Sequence, residues 1–413
     1  MCGTEYRLQS NRLDLAPPRQ HRALISPSAN SKGSVRSGVV LRVCCNMSPG
    51  LGLLDSAQRA TTAAVESLGL PGIAAVAAGT YCLWTLLRFV RADADLRLLS
   101  KRKAPEDAFE DKVVWITGAS QGLGAELAKR LAARGARLVL SSRQEGALQK
   151  VKEACRGKHA PDGILVLPFD LCANYSVMAE AAAVADSAFL ELPGELDSSG
   201  VDYLLHNAGA SQHAVAEETS ADVMEQLFEL NTLGPVKLTR AALPYMLSRK
   251  KGQIVVVSSM AGKVPSPGQA VYSGAKSALL GYFHALHAEV CDRGVSVTIC
   301  CPGPVCAADD SRPRSVYGPD GLKQQAAAVS TSGKMPLPRV VELMLRAAYH
   351  KLDECWIARH PVLLMGYLMQ YCPTLGLRVL RWLGPARAQR IRRGESGYEV
   401  QGVLAGAFAS KTD

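Results

Sequence analysis

The feature that most narrows the fold of this chain is an apolar run, Val113-Val114-Trp115-Ile116, that passes directly into Thr117-Gly118-Ala119-Ser120-Gln121-Gly122-Leu123-Gly124. An uninterrupted apolar run reads as a strand covered on both faces. Glycines at this spacing let the chain turn sharply into a helix while its backbone approaches a pyrophosphate. Gly118, Gly122 and Gly124 each omit a Cβ that would collide or forbid a positive φ. The pattern after them predicts a helix over roughly 123–134, stopped by Gly135, with its N-terminal N–H groups and positive dipole end facing phosphate. A second run, apolar on both faces, follows at 138–141. That succession separates a dinucleotide cradle from an ordinary glycine-rich loop.

Strand-like runs recur at 113–117, 137–142, 164–169, 202–206, 253–258, 295–301 and 355–358, alternating with helix-length segments. Such alternation predicts an α/β fold, a single Rossmann-type doubly wound parallel sheet of seven strands. A chain of 413 residues, 48% hydrophobic and 20% charged, can bury one large core of this kind plus appendages.

The residues after the second strand select the cofactor. An NAD enzyme places Asp or Glu about 20 residues beyond the glycines to hold the ribose 2′-hydroxyl. Here Ser141-Ser142-Arg143 stands instead. No carboxylate repels a 2′-phosphate, and Arg143 offers a planar, permanently charged fork to grip one. NADP(H) is the predicted cofactor, a preference resting mostly on Arg143 because position 121 in the loop is the neutral Gln121.

Downstream, Tyr272 and Lys276 lie four residues apart, so on a helix they share a face. An unperturbed phenol titrates near pH 10, and a neighbouring ammonium brings it toward neutrality, where a general acid works best. Ser259, thirteen residues before Tyr272 at the end of a Val-rich strand, can donate to the same substrate oxygen. Alternation turns its neighbour Ser258 to the other face.

Added to these are Asn207-Ala208-Gly209 after the fourth strand, Asn231 in Glu229-Leu230-Asn231-Thr232, and Pro302-Gly303 after the sixth. In this set the chain resembles the short-chain dehydrogenase/reductase superfamily from about 108 to 359. In Leu86–Asp93, Cys301–Val305, Trp356-Ile357 and Tyr367–Tyr371 it resembles the membrane-anchored dehydrogenase/reductase member 7 subfamily. The resemblance implies catalysis by Asn231, Ser259, Tyr272 and Lys276, with Asn231 holding a water that links Lys276 to solvent. It implies cofactor contacts from Thr117, Gly118, Ser120, Gln121, Gly122, Leu123, Gly124, Ser142, Arg143, Asp170, Asn207, Gly209, Tyr272, Lys276, Pro302, Gly303 and Val305. Asp170 would lie beside the adenine and Lys276 would bond the nicotinamide ribose. Two positions depart from the pattern: His206 stands where an Asn is usual, and Cys306-Ala307 where a Thr often follows Pro-Gly. The implied substrate is a small apolar carbonyl or alcohol of steroid or retinoid type, and a homo-oligomer through the helices of the catalytic domain is allowed.

Outside 108–360 the reading is compositional. Residues 1–70 form a basic tail: 1–47 carry only Glu5 and Asp14 as acids, and read as a transit peptide, a disordered tail or an upstream extension before Met47. Residues 71–91 read as a hydrophobic membrane anchor, with 72–87 uncharged, at the short end for a span. The resemblance implies the endoplasmic reticulum. Arg88, Arg91, Arg97 and Lys101–Lys103 on its C-terminal side point to a cytosolic domain, while anchored relatives face the lumen. Residues 92–107 read as a linker and 361–413 as an apolar then basic extension. Its Arg378–Arg393 run, with Trp382 interleaved, fits a lipid surface, a roof over the substrate entrance or a solvated tail better than nucleic acid, although the net charge is +10. No Cys or His spacing suggests a metal; His284 and His287 lack an acid at a usable helical spacing. Two functions follow: a reductase, or a nucleotide-binding scaffold that has lost turnover. The complete catalytic set favours the reductase.

Overall fold

Why the strands form is visible in their burial. The computed structural model describes residues 72, 74–189, 200–306, 314–325, 333–395, 397 and 400–409. The readings of 1–70 therefore fall outside the described residues. Strands β1 (Val113–Thr117) and β2 (Arg137–Ser141) are buried at every position, as strands covered by helices on both faces must be. With β3 (Ile164–Val166), β4 (Tyr203–His206), β6 (Gly252–Val257), β7 (Val295–Pro302) and β12 (Glu354–Ile357) they make one parallel sheet in the order β12-β7-β6-β4-β1-β2-β3. All seven expected runs are present. The third is shorter than expected, although Leu167 N and Phe169 N still bond Leu140 O and Ser142 O.

Alternation along each strand divides the core in two. Val114, Ile116, Leu138 and Leu140 point to one face, where they meet α3 (Gly122–Ala133), α4 (Glu145–Ala154) and α9 (Leu337–Tyr349). Val113, Trp115, Val139 and Ile254 point to the other, against α5 (Tyr175–Ser187), α7 (Gly234–Ser248) and α8 (Ala270–Val290). Trp115 is wholly buried, and its Nε1 donates to Ser141 Oγ at 2.9 Å, so the indole leaves no donor orphaned. Between β1 and β4 the strand order reverses, opening a crevice at their carboxyl ends where such sheets bind ligands.

Two expectations for the flanks need correction. Residues 92–107 are not a linker but part of the catalytic unit. Ala94 and Leu98 are fully buried, and Asp95 caps α2 (Leu96–Ser100) by accepting from Leu98 N at 2.8 Å. The same carboxylate accepts from Trp356 N at 2.7 Å, while Asp95 N donates to Trp356 O at 2.8 Å. Burial pushes the Asp95 carboxyl above its ordinary range. Irregular backbone carries no periodicity, so this packing left no mark in the pattern. The second correction is the span at 71–91, which is not supported. Among the described residues no helix is long and apolar enough to cross a membrane. Residues 74–90 are helical (α1), and the uncharged run 72–87 that ends before Arg88 would reach about 24 Å at 1.5 Å per residue, short of a hydrocarbon core of about 30 Å.

Three helices follow the sheet: α10 (Val362–Tyr371), α11 (Pro373–Arg392) and α12 (Val400–Ala409). Trp382 on α11 meets Phe408 on α12 edge-on at 5.1 Å. The segment 305–335 is tethered rather than free. Strand β8 (Val305–Cys306) pairs with β11 (Met335–Pro336), and β9 (Arg314–Tyr317) pairs with β10 (Leu322–Gln325) and with β5 (Ser211–Gln212).

Candidate active site

Thr117 ends β1 at the crevice, and its hydroxyl ties the two strand ends together. Its Oγ1 donates to Leu205 O at 3.3 Å and accepts from Asn207 N at 3.1 Å and Ala208 N at 3.2 Å. Asn207 reciprocates, its Nδ2 donating to Thr117 O at 3.1 Å and Gly118 O at 3.0 Å. The glycine turn is thereby fixed from across the sheet. Gly118 and Gly122 have φ of +64° and +55°, and a Cβ on Gly124 would stand 2.2 Å from Gly118 O. Helix α3 begins at Gly122 and makes no side-chain cap bond at Gln121, so no side chain competes with a phosphate for its first N–H groups. Ser120, Gln121 and Leu123 border this turn. A dinucleotide pyrophosphate fits a cradle that a single Cβ would fill.

At the end of β2 stand Ser142, whose Oγ accepts from Gln144 N at 3.3 Å, and Arg143, which is exposed. Among the described residues no acid lies within ion-pair distance of Arg143. Asp170, also exposed, follows β3, and its Oδ1 accepts from Cys172 N at 3.0 Å. The turn, Arg143 and Asp170 thus line the carboxyl edge of β1, β2 and β3 in succession.

The other half of the crevice holds the reactive side chains. Helix α8 presents Tyr272 and Lys276 on one face, the Lys276 ammonium 5.9 Å from the centre of the phenol ring. Lys276 is 4% exposed, and its Nζ donates to Val257 O at 3.0 Å. Burial pushes its pKa down to about 8. Ser259 turns from β6 toward the crevice; its Oγ accepts from Ala261 N at 3.1 Å and makes a long bond to Pro302 O at 3.4 Å. Ser258 faces away and donates to Lys276 O at 3.0 Å, which fixes the lysine's backbone. A cavity of about 1120 Å³ joins Ser259, Tyr272 and Lys276 to Leu123, Asn207, Gly209 and Asn231, and to Pro302, Gly303 and Val305 on the far side.

Asn231 lies in a π-helical turn, Glu229–Leu233, and is wholly buried. Such turns concentrate at functional sites. Its Nδ2 donates to Ala210 O and Leu227 O, both at 3.0 Å, and its Oδ1 accepts from Ala210 N at 3.3 Å. The side chain therefore fixes the residue that leads into β5. Gly209 is a close approach: a Cβ would stand 2.7 Å from Asn231 Oδ1 and 3.3 Å from Lys276 Nζ.

Comparison with known proteins matches this geometry. The sequence profile described as short chain dehydrogenase matches residues 112–313. "Dehydrogenase/reductase SDR family member 7" of Mus musculus is 39% identical over 314 residues, covering 74% of this chain and 89% of the relative. The chain belongs to the short-chain dehydrogenase/reductase family of oxidoreductases. The Homo sapiens protein of the same name is 39% identical, covering 79% of this chain and 94% of that one, and member 7B of Danio rerio is 35% identical, covering 76% and 96%. Among solved structures, a short-chain dehydrogenase of Burkholderia cenocepacia J2315 in complex with NADP shares the fold. Its TM-score is 0.52 at 22% identity, over 66% of this chain and 98% of that one.

Within this short-chain dehydrogenase several contributors escaped the sequence reading. Gln212 accepts from Tyr272 N at 3.1 Å through Oε1 and so holds the turn bearing the phenol. Nothing but its place after Asn207-Ala208-Gly209 could have flagged it. His206 is buried beside Phe283, bonded to Thr239 Oγ1 at 2.7 Å and pushed down to about 3 by burial, so it is a neutral core residue. His284 and His287 do meet acids, but these come from across the sheet. His284 bonds Glu354 at 2.8 Å, and His287 lies 3.9 Å from Asp353. No group of residues able to hold a metal occurs among the described residues. Ala307, the second half of the Cys306-Ala307 departure, falls outside them.

Proposed function

We propose that the protein is an NADPH-dependent reductase of apolar ketones or aldehydes, of steroid or retinoid type. The observation that carries this reading is the single cavity in which Tyr272, Ser259 and Lys276 face walls built from Val264, Val316, Met365, Leu380 and Leu383. Ligand sites of this size are mostly apolar with few placed polar groups, which suits a large apolar molecule held by one carbonyl. The dihydronicotinamide, when bound, supplies hydride to the carbonyl carbon. Tyr272 gives its phenolic proton to the oxygen as the C=O bond becomes C–O–H. Ser259 donates a hydrogen bond to that oxygen, and Lys276⁺ stabilises the phenolate left behind.

Arg143 supports NADPH over NADH. Arg143→Asp would set a carboxylate against the 2′-phosphate, and NADPH should then bind about 10- to 100-fold more weakly, the scale of losing a hydrogen bond to a charged group. NADH affinity should hold or improve. Titrating both nucleotides into wild type and variant, followed by a screen of hydroxysteroids, retinal and small dicarbonyls, tests the reading. Equal wild-type affinities for the two nucleotides sink the cofactor assignment. Tight NADPH binding with no carbonyl reduced favours the scaffold.

The same proposal places the protein on a membrane. Helix α1 exposes Leu83, Trp84 and Leu87, and its Phe89 packs against Tyr367 of α10, which stacks on exposed Tyr371; the start of α11 adds exposed Leu375, Leu377, Arg378 and Arg381. An apolar patch with arginines at its rim suits a lipid surface. Leu83→Glu with Leu87→Glu should release the full chain from membrane fractions, while high salt alone should not, since salt screens charge but not apolar burial. A wild-type chain recovered wholly in the soluble fraction overturns the placement.

A further inference from the structure

We propose that α11 belongs to the catalytic apparatus and that Arg387 is a positioning residue for Tyr272. This inference rests on the reductase reading for its kinetic consequences but not for its structural one. Helix α8 begins without a side-chain cap: Gln269, at its N-terminal boundary, turns its amide away from the helix. Gln269 is 1% exposed; its Nε2 donates to Ser211 Oγ at 2.9 Å and its Oε1 accepts from Arg387 Nη2 at 3.1 Å. Arg387 Nε donates to Pro267 O at 3.0 Å. One guanidinium thus grips both the loop leading into α8 and the residue three positions before Tyr272. Gln269 O in turn accepts from Ser273 N at 2.8 Å, the amide next to the phenol's own residue.

Two further contacts seat the same stretch of α11. Ile391 packs on Gly268, where φ is +79° and a Cβ would lie 2.7 Å from Ile391 Cγ1, so only glycine admits this approach. Arg392 bonds Glu218 at 2.7 Å and also Glu217, both in the short turn after β5. The helix therefore bridges the 264–269 loop, which lines the cavity, and the 216–218 turn, and its own Trp382 and Leu383 also line the cavity. Gln212, which holds Tyr272 N, lies on β5, shortly before that turn. The profile match ends at residue 313, so the α11 side of this clamp is built from sequence beyond the matched region. The Arg378–Arg393 run divides its work accordingly: Arg387 and Arg392 face the catalytic domain, and Arg378 and Arg381 face solvent.

The test uses the full chain carrying Arg387→Met, Arg387→Lys, Gln269→Leu or the Arg387→Met/Gln269→Leu pair. Amide hydrogen exchange at residues 270–276, NADPH affinity, and kcat and KM for a reduced carbonyl are measured. In Arg387→Met, exchange at Ser273 should quicken. kcat should fall about 10- to 100-fold, the scale of a lost charge-assisted hydrogen bond, with NADPH affinity unchanged. Arg387→Lys, which keeps one donor, should fall between. The double variant should lose less than the sum of the singles, because the Arg387–Gln269 contact is removed by both, whereas Arg387–Pro267 and Gln269–Ser211 are each removed by one. Unchanged exchange and kcat in Arg387→Met overturn the proposal, as do losses that add in full. If no carbonyl is reduced by the wild type, the function falls, while the exchange result still decides whether Arg387 holds the turn.

Discussion

Tyr272→Phe is expected to bind NADPH as the wild type does and to reduce carbonyls at least about 10²- to 10⁴-fold more slowly, the range contributed by a positioned general acid. The substitution keeps the ring, its packing and the backbone bond from Tyr272 N to Gln212. What it deletes is the proton aimed into the cavity. Cofactor binding should survive because the cradle at Gly118–Gly124 and the Thr117–Asn207 staple lie on the other side of the crevice. Steady-state rates and nucleotide titrations on purified variants give the comparison, with Ser259→Ala expected to lower turnover and Ser258→Ala as the milder control. A Tyr272→Phe enzyme with near wild-type turnover would falsify the mechanism.

Lys276→Met should separate activity from stability. Turnover should fall by a comparable factor, since the ammonium stabilises the phenolate form of Tyr272. Stability should move the other way with pH. An unfolded lysine keeps its proton to about pH 10.5, whereas buried Lys276 releases it near 8. Between those values the unfolded chain binds more protons, so wild-type stability rises as pH climbs through the window. The ammonium at neutral pH therefore costs about 3 kcal/mol. Methionine removes that cost and leaves Val257 O unpaired, a penalty of about 1–3 kcal/mol. At pH 7 the variant should match the wild type or slightly exceed it, and its stability should not gain between pH 8 and 10.5. Urea unfolding of both proteins at pH 7 and pH 10 checks this. A variant that keeps the wild-type gain shows that another group sets the slope.

The parts of the site legible in the sequence are those whose chemistry demands a residue type at a fixed spacing. The glycine turn was readable because a pyrophosphate cradle forbids Cβ atoms at set intervals, and Tyr272 with Lys276 because helical geometry makes four residues one face. The seven strands were readable because two-faced burial leaves an unbroken apolar run. Gln212, Gln269 and Arg387 were not readable. Each acts through a contact between segments far apart in the chain, up to 120 residues for Arg387 and Pro267, and a local pattern carries no trace of such a partner. Asn231 lines the crevice, and its side chain serves Ala210 and Leu227. The stretch at 92–107 reads as a linker in the sequence, whereas Asp93 is paired with Arg339 at 2.8 Å and Asp95 is buried, contacts to segments far along the chain.

That buried aspartate has a consequence for the edge of the sheet. Strand β12 is the last in the sheet order, and its outer side would otherwise offer unpaired N–H and C=O groups to any passing strand. Asp95 takes both groups of Trp356, one with its backbone and one with its carboxylate. The short segment ahead of the catalytic core thus works as a selvedge, finishing the edge of the sheet so that it cannot be extended. A chain begun at Ala108, where the family resemblance starts, would keep the catalytic residues and lose that finish, leaving Trp356 open to edge-to-edge aggregation.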